Sequence, residues 1–268
     1  MKDDIIKQKV KEVYGKIALV GTSSEGCCAP GECCSGSSSG SSNGSQTMMS
    51  PLQIAESIGY NANDLKSIPE SSILGVGCGA PVNFANIQEG EIVIDIGSGG
   101  GIDVFLSANK VKQSGKVIGI DMTDEMLEKA VIRAKQNGYT NVEFKKGDIE
   151  EGIPINDNAA DVVISNCVVN LTTDKTAAFK EIYRILKTNG GRMVISDLVT
   201  SKEVGSESAD SDKWCSCIDG ALTKEHYLDY IRKAGFSDIE VLEEKLYMDG
   251  YKIEGRQITS LVIKAVKT

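Results

Sequence analysis

An α/β fold is predicted here, with a seven-stranded, mostly parallel sheet and helices on both faces, and three observations predict it. The first is Glu91-Ile-Val-Ile-Asp-Ile-Gly-Ser-Gly-Gly-Gly-Ile102, a mostly β-branched apolar run that stops in a glycine cluster. It reads as a fully buried strand entering a tight turn that opens a helix. The second is the alternation downstream, where short apolar runs take turns with stretches of helical periodicity, as in parallel strands joined by crossover helices. The third is size: 268 residues at 41% hydrophobic content suffice to bury a sizeable core.

Taken in order, residues 3–19 place Ile6, Val10, Val13 and Ile17 on one helix face between Lys and Glu, and the helix is expected simply to dock on the domain. Cys27, Cys28, Cys33 and Cys34 follow among Gly, Ser and Pro, and the Gly/Ser run at 35–45 has nothing to pack, so these cysteines are expected on a flexible arm. Residues 1–49 are read as this helix and arm, and 50–268 as one domain. A short helix is expected from Pro51 to Ile58, with Ser50 as N-cap and proline at the first position. Leu74-Gly-Val-Gly-Cys-Gly-Ala-Pro81 is a second glycine-rich loop, centred on Cys78. Strands are placed at 92–96, 116–121, 142–146, 161–165 and 191–197, with helices near 101–109, 124–137, 174–187 and 223–234. Strands near 238–245 and 256–265 complete the sheet, the final one beside its neighbour at the edge. Residues 198–222 form a polar insertion carrying Trp214, Cys215 and Cys217.

Composition narrows the function. A formal charge of -9 disfavours DNA or RNA as a partner, because such binding relies on Lys and Arg to neutralise phosphates. Neither an N-terminal apolar h-region nor eighteen consecutive apolar residues occur, so no signal peptide or membrane span is expected and the location is read as cytosolic. In that compartment eight cysteines point to metal, metalloid or redox use rather than a static disulfide framework. Any one of them can instead pack as a small hydrophobe, but Cys27, Cys28, Cys33 and Cys34 have no core around them.

The glycine loop has the pattern Asp-x-Gly-x-Gly-x-Gly. A dinucleotide fingerprint needs a sixth-position glycine where Ile102 stands, so S-adenosylmethionine is the expected cofactor, held by Asp95, Gly97, Ser98 and Gly99. Asp121, at the tip of the next strand before Met122, is placed to accept both ribose hydroxyl protons, while Thr123 and Asp124 are better placed to cap the following helix. Asp148, beside Ile149, suits an adenine amino group or serves as a turn residue. Cys167 emerges past the end of the fourth strand, on the same sheet edge as the glycine loop, with Asn166 beside it. The insertion leaves from that edge too, which makes Cys215 and Cys217 candidate partners of Cys167; this geometry does not place Cys78. Closed zinc needs four ligands in paired spacing, which only Cys215-x-Cys217 approaches. A trivalent thiophilic species on three thiolates suits soft ligands and keeps a lone pair that can attack a methyl group. No general base is then required, and the single histidine, His226, is expected at the surface of a helix capped by Thr223.

Tyr60-Asn-Ala-Asn-Asp-Leu65, Gly75-Val-Gly-Cys-Gly-Ala-Pro81, Asp95-Ile-Gly-Ser-Gly-Gly-Gly101, Ser165-Asn-Cys-Val-Val-Asn-Leu171 and Cys217-Ile-Asp-Gly-Ala-Leu222 together resemble the arsenite S-adenosylmethionine methyltransferases, over roughly residues 50 to 240. The resemblance implies a Rossmann-like class I methyltransferase fold, arsenite or its thiol conjugates as substrate, and a thiol or thioredoxin-type reductant. It also implies that Cys78, Cys167 and Cys217 are the active-site cysteines that hold As(III), with the insertion forming part of that site. An arm cysteine would supply a fourth and pair with Cys78 in a disulfide, and Cys215 offers a substitute ligand. Two rivals stand beside this reading: a methyltransferase for a quinone-like or other small nucleophile, and a non-catalytic metalloid-binding protein.

Overall fold

The computed structural model describes residues 2–20, 49–205 and 208–268; the expected arm and its four cysteines lie outside them. Strands β1 (Ile92–Ile96), β2 (Lys116–Asp121), β3 (Val142–Lys146), β4 (Val162–Asn166), β5 (Arg192–Thr200), β6 (Asp238–Leu246) and β7 (Ile258–Val266) form one sheet in the order β3-β2-β1-β4-β5-β7-β6. The first five run parallel and β7 is antiparallel to both its neighbours.

Successive side chains leave a strand on opposite faces, so each central strand feeds two cores. Val93, Val117, Val162, Ile164 and Val194 pack on one face with Val104, Ala108 and Val111 of helix α4 (Ile102–Val111). Ile94, Ile118, Val163 and Ile195 pack on the other with Phe179 and Ile182 of α6 (Lys175–Ile185) and Tyr227 and Ile231 of α8 (Lys224–Lys233). Strand order reverses between β1 and β4, and the crevice outside the carboxyl ends of these strands is where such sheets bind ligands.

The sheet edge differs from expectation. The final strand is not at the edge: β7 is inserted between β5 and β6, because Leu261, Val262 and Ile263 are apolar and buried on both faces, whereas Glu240, Glu244 and Lys245 suit β6 to the solvated margin. Pairing with β7 also carries β5 on to Thr200, so the insertion begins at residue 201.

Of the remaining helices, α2 (Pro51–Ser57) starts with the expected cap, reinforced as a capping box in which Gln53 N–H donates to Ser50 Oγ and Ser50 N–H to Gln53 Oε1. A short α3 (Ala62–Leu65) follows, and α5 (Asp124–Gln136) crosses from β2 to β3. Thr123 precedes α5 but its side chain makes no cap bond; Asp121 Oδ1 accepts the Thr123 N–H at 2.9 Å instead. Before α8 the Thr223 side chain likewise does not cap, and Glu203 accepts from both its N–H and its hydroxyl.

Helix α1 (Lys2–Val20) buries Ile6, Val10, Ile17 and Ala18 against α5 and α7 (Ser211–Cys215). The Lys129 ammonium of α5 meets the carbonyls of Ala18 and Leu19, the favourable place for a cation at a helix C-terminus. No helix among the described residues is long and apolar enough to cross a membrane.

Candidate active site

A cavity of about 1200 Å³, open mouth included, lies at the strand-order reversal. Asp95, Gly97, Ser98, Gly99, Asp121, Met122, Asp148, Ile149 and Asn166, the residues expected to hold the cofactor, all line it. The glycine loop is shaped for close approach. Gly97 has φ +70°, and a Cβ there would run into Val168, so the loop after β1 and the turn after β4 pack directly on one another. Gly97 and Ser98 N–H donate to the Ile120 carbonyl at 2.7 and 2.9 Å, and Gly99 N–H donates to Asp121 Oδ2 at 2.9 Å. Asp121 thus holds the loop as well as the start of α5.

The lining is acidic. Burial raises the Asp95 carboxyl well above the usual range, with Asp103 and Asp121 adding to it. Burial also raises Asp103 to about 7, against the stabilising Tyr60 hydroxyl, and raises Asp121 against the N–H groups of Thr123 and Gly99. Two lining groups are buried polar atoms without a hydrogen-bond partner among the described residues, Ser98 Oγ and Asp103 Oδ1. Such atoms are costly unless a ligand satisfies them.

Helix α1 does more than dock, since Lys7, Val10 and Tyr14 form part of the cavity wall. The Lys7 ammonium lies 3.1 Å from both Asp148 Oδ2 and Glu150 Oε2. Burial disfavours its charge, yet these two carboxylates more than compensate and its pKa is raised. Asp148 also turns the chain, its Oδ1 accepting the Glu150 N–H at 3.0 Å.

Three cysteines from distant parts of the sequence meet beside the cavity. Cys78, Cys167 and Cys217 are buried in one cluster with Leu198, Ile218 and Ile258, and Cys167 also lines the cavity. Cys78 and Cys167 are joined as a disulfide, with Cα atoms 6.1 Å apart, and Cys217 Sγ donates to the Cys167 carbonyl at 3.2 Å. The bond thus runs within the cluster; the arm cysteines expected to pair with Cys78 lie outside the described residues. Both Cys167 (φ +56°) and Cys217 (φ +63°) adopt the left-handed backbone conformation, which costs a non-glycine residue about 1–2 kcal/mol and recurs at functional sites. Cys215 does not join them. It is fully buried in a separate cluster with Ile6, Val10 and Trp214, where it serves the docking of α1. His226 is half-exposed beside Glu203 and does not line the cavity.

A methyltransferase-domain family matches residues 87–235, more than half of the chain. The chain belongs to that family. Among similar proteins, an arsenite methyltransferase of Halobacterium salinarum is 38% identical over 244 residues, 88% of this chain and 58% of that protein. Another from Mus musculus is 34% identical over 206 residues, 69% of this chain and 53% of that protein. The chain therefore spans little more than half the length of these curated relatives. Among solved structures, an arsenic(III) S-adenosylmethionine methyltransferase from Chlamydomonas reinhardtii aligns with a TM-score of 0.63 at 29% identity, covering 82% of this chain and 74% of that one.

The structure of this methyltransferase domain also brings in residues that sequence reading missed. Asp197, within β5, is 1% exposed, and one carboxylate oxygen lies within 4.8 Å of both the Cys78 and Cys167 sulfurs. Burial raises it to about 7 despite bonds from Tyr227 and the backbone and the nearby charge of Lys175. An aspartate inside an apolar strand was the available signal, because carboxylates are seldom fully buried without a partner. Tyr60 and Asp103, bonded at 2.8 Å, were also missed.

Proposed function

We propose that this methyltransferase transfers methyl groups from S-adenosylmethionine to trivalent arsenic bound by Cys78, Cys167 and Cys217, giving methylated arsenicals. The observation that carries the reading is the meeting of these buried cysteines, two with strained backbones, beside an acidic cavity that Cys167 lines. The similarity to arsenite methyltransferases supports it. The cavity fits the donor: buried carboxylates and the unpartnered Asp103 Oδ1 suit a ligand bearing a sulfonium and an ammonium, and would repel a pyrophosphate. Bound there, S-adenosylmethionine supplies a methyl group on a positively charged sulfur.

The chain's own residues do the rest. Asp121, on the cavity wall, accepts from the ribose hydroxyls in this reading, and Gly97 lets the glycine loop seat against Val168. The Cys78–Cys167 disulfide first takes two electrons and two protons from a thiol reductant, through a mixed disulfide. Each thiol then displaces one hydroxide of arsenous acid as water, so three thiols release three waters and no base is consumed. Arsenic held by these thiolates keeps a lone pair that would take up the methyl group, the donor leaving as S-adenosylhomocysteine. Returning the pentavalent product to the trivalent state needs two electrons, which two thiolates supply by forming a disulfide; Cys78 and Cys167 are placed to do so.

The arm has a route to this site. Ile17 and Ala18 pack with Leu74 and Val76 of the Cys78 loop, and the seven residues from Val20 to Cys27 span up to ~23 Å when extended. Cys27, Cys28, Cys33 and Cys34 are thus candidates for passing electrons to Cys78. Residues 201–222 contribute Cys217 and complete the arsenic site.

Cys167→Ser and Cys217→Ser in the reduced protein test the assignment. Each is expected to abolish arsenite binding while S-adenosylhomocysteine still binds. Loss of the nucleoside ligand with arsenite binding intact would make these cysteines structural.

A further inference from the structure

A line of polar contacts leads from the cavity to the sulfurs. Asp103, in the first turn of α4, is 3% exposed and lines the cavity. Its Oδ2 accepts from the Tyr60 hydroxyl at 2.8 Å, while Oδ1 has no hydrogen-bond partner among the described residues. The Tyr60 oxygen accepts in turn from Asn166 Nδ2 at 3.0 Å. The same nitrogen donates to the Gly79 carbonyl at 2.6 Å, and Asn166 Oδ1 accepts the Cys78 N–H at 3.1 Å. One amide therefore spans the peptide groups around Cys78. The loop is moulded on it, since a Cβ at Gly77 would fall 2.8 Å from Asn166 Nδ2. On the far side the Cys78 carbonyl accepts from Ser260 Oγ at 2.6 Å.

We propose that Asp103 Oδ1 receives the ammonium of the methyl donor's amino-acid end, and that Tyr60 and Asn166 are positioning residues that tie this carboxylate to the Cys78 loop. Donor binding then fixes where the Cys78 sulfur sits. This rests on the cavity as the donor site and not on arsenic as the acceptor. An ammonium on Oδ1 holds Asp103 in its charged form, which strengthens the bond from Tyr60. A more strongly donating Tyr60 hydroxyl is a better acceptor for Asn166, so the whole line tightens. The link is reciprocal: whatever the donor does to Cys78, the state of Cys78 does to donor affinity.

The test uses the full chain with its thiols reduced and two probes, S-adenosylhomocysteine, which carries the ammonium, and 5′-methylthioadenosine, which lacks the amino-acid end. The readout is the rate of Cys78 alkylation by iodoacetamide, followed by peptide mass spectrometry. S-adenosylhomocysteine is expected to slow Cys78 about fivefold or more, a typical coupling, and saturating methylthioadenosine to leave it nearly unchanged. Tyr60→Phe should bind S-adenosylhomocysteine but lose the protection. Asp103→Asn should bind it about tenfold more weakly, as for the loss of a charge-assisted bond, with methylthioadenosine unaffected. Equal protection by both probes in the unaltered protein, or full protection retained in Tyr60→Phe, overturns the proposal. The comparison of probes stands even if Tyr60→Phe does not fold. Failure to methylate arsenic does not touch this experiment, whereas failure to bind S-adenosylhomocysteine removes the donor site itself.

Discussion

Donor affinity should fall on acidification, and the cavity wall gives the size of the effect. Asp103 is held at about 7 by burial, so in the ligand-free protein it is half-protonated near neutrality. A cationic ligand binds the carboxylate and gains nothing from the acid form. With that value, ~90% of the molecules carry the charge at pH 8 and ~10% at pH 6, so Kd should rise about tenfold across the interval, or ~1.4 kcal/mol. Asp95 and Asp121 are shifted in the same upward direction, so they do not oppose this trend, and Lys7 keeps its charge throughout. Stability runs the other way. A carboxyl whose folded-state pKa lies above its unfolded value of 3.8 favours the fold at low pH, and that contribution is lost as pH rises through about 7. The ligand should therefore raise the melting temperature more at pH 8 than at pH 6. Calorimetric titration of the reduced protein with S-adenosylhomocysteine at both pH values measures the affinity, with Asp103→Asn as the control that should flatten the profile. Affinity that is constant or tighter at pH 6, or an Asp103→Asn variant with the full dependence, would refute the reasoning.

Two further outcomes follow from backbone geometry. Because Cys217 sits at φ +63°, Cys217→Gly should be at least as stable as Cys217→Ala, reversing the usual advantage of about 0.5–1 kcal/mol that alanine holds, and denaturant midpoints of the reduced variants will show it. Gly97→Ala, whose new methyl meets Val168 from a left-handed backbone, should cost about 1–3 kcal/mol and weaken nucleoside binding; unchanged melting and unchanged binding would contradict the packing of the two loops.

The fold was largely legible because each central strand announces itself by an apolar run and a turn. The 92–96 and 116–121 strands were placed to the residue for that reason. The edge was harder: alternating charge in 238–246 and the apolar run Leu261-Val-Ile263 within 258–266 distinguish margin from interior, but only once both are known to belong to one sheet. On the site side, the residues after β1, β2 and β4 were recoverable from the rule that ligands bind beyond the carboxyl ends of strands. Cys78 was not recoverable from that rule, because a loop ahead of the first strand has no fixed place until Asn166 and Ser260 hold it. The amphipathic pattern of α1 announced a docking face but not what the helix would cover, and Lys7 gave no sign that it would pair with Asp148 more than a hundred residues away. Tyr60 and Asp103 escaped for a similar reason: a lone polar residue takes its meaning from partners that only the fold supplies.

The most direct test of the account is the fate of the methyl group. The reduced full chain is incubated with arsenite, S-adenosylmethionine labelled in its methyl group, and a dithiol, and the arsenic species are separated. The account predicts labelled methyl groups on arsenic, absent from the Cys167→Ser and Cys217→Ser proteins. A protein that binds the donor and arsenite yet leaves all label on the donor, or moves it to a carbon or oxygen acceptor, would contradict it.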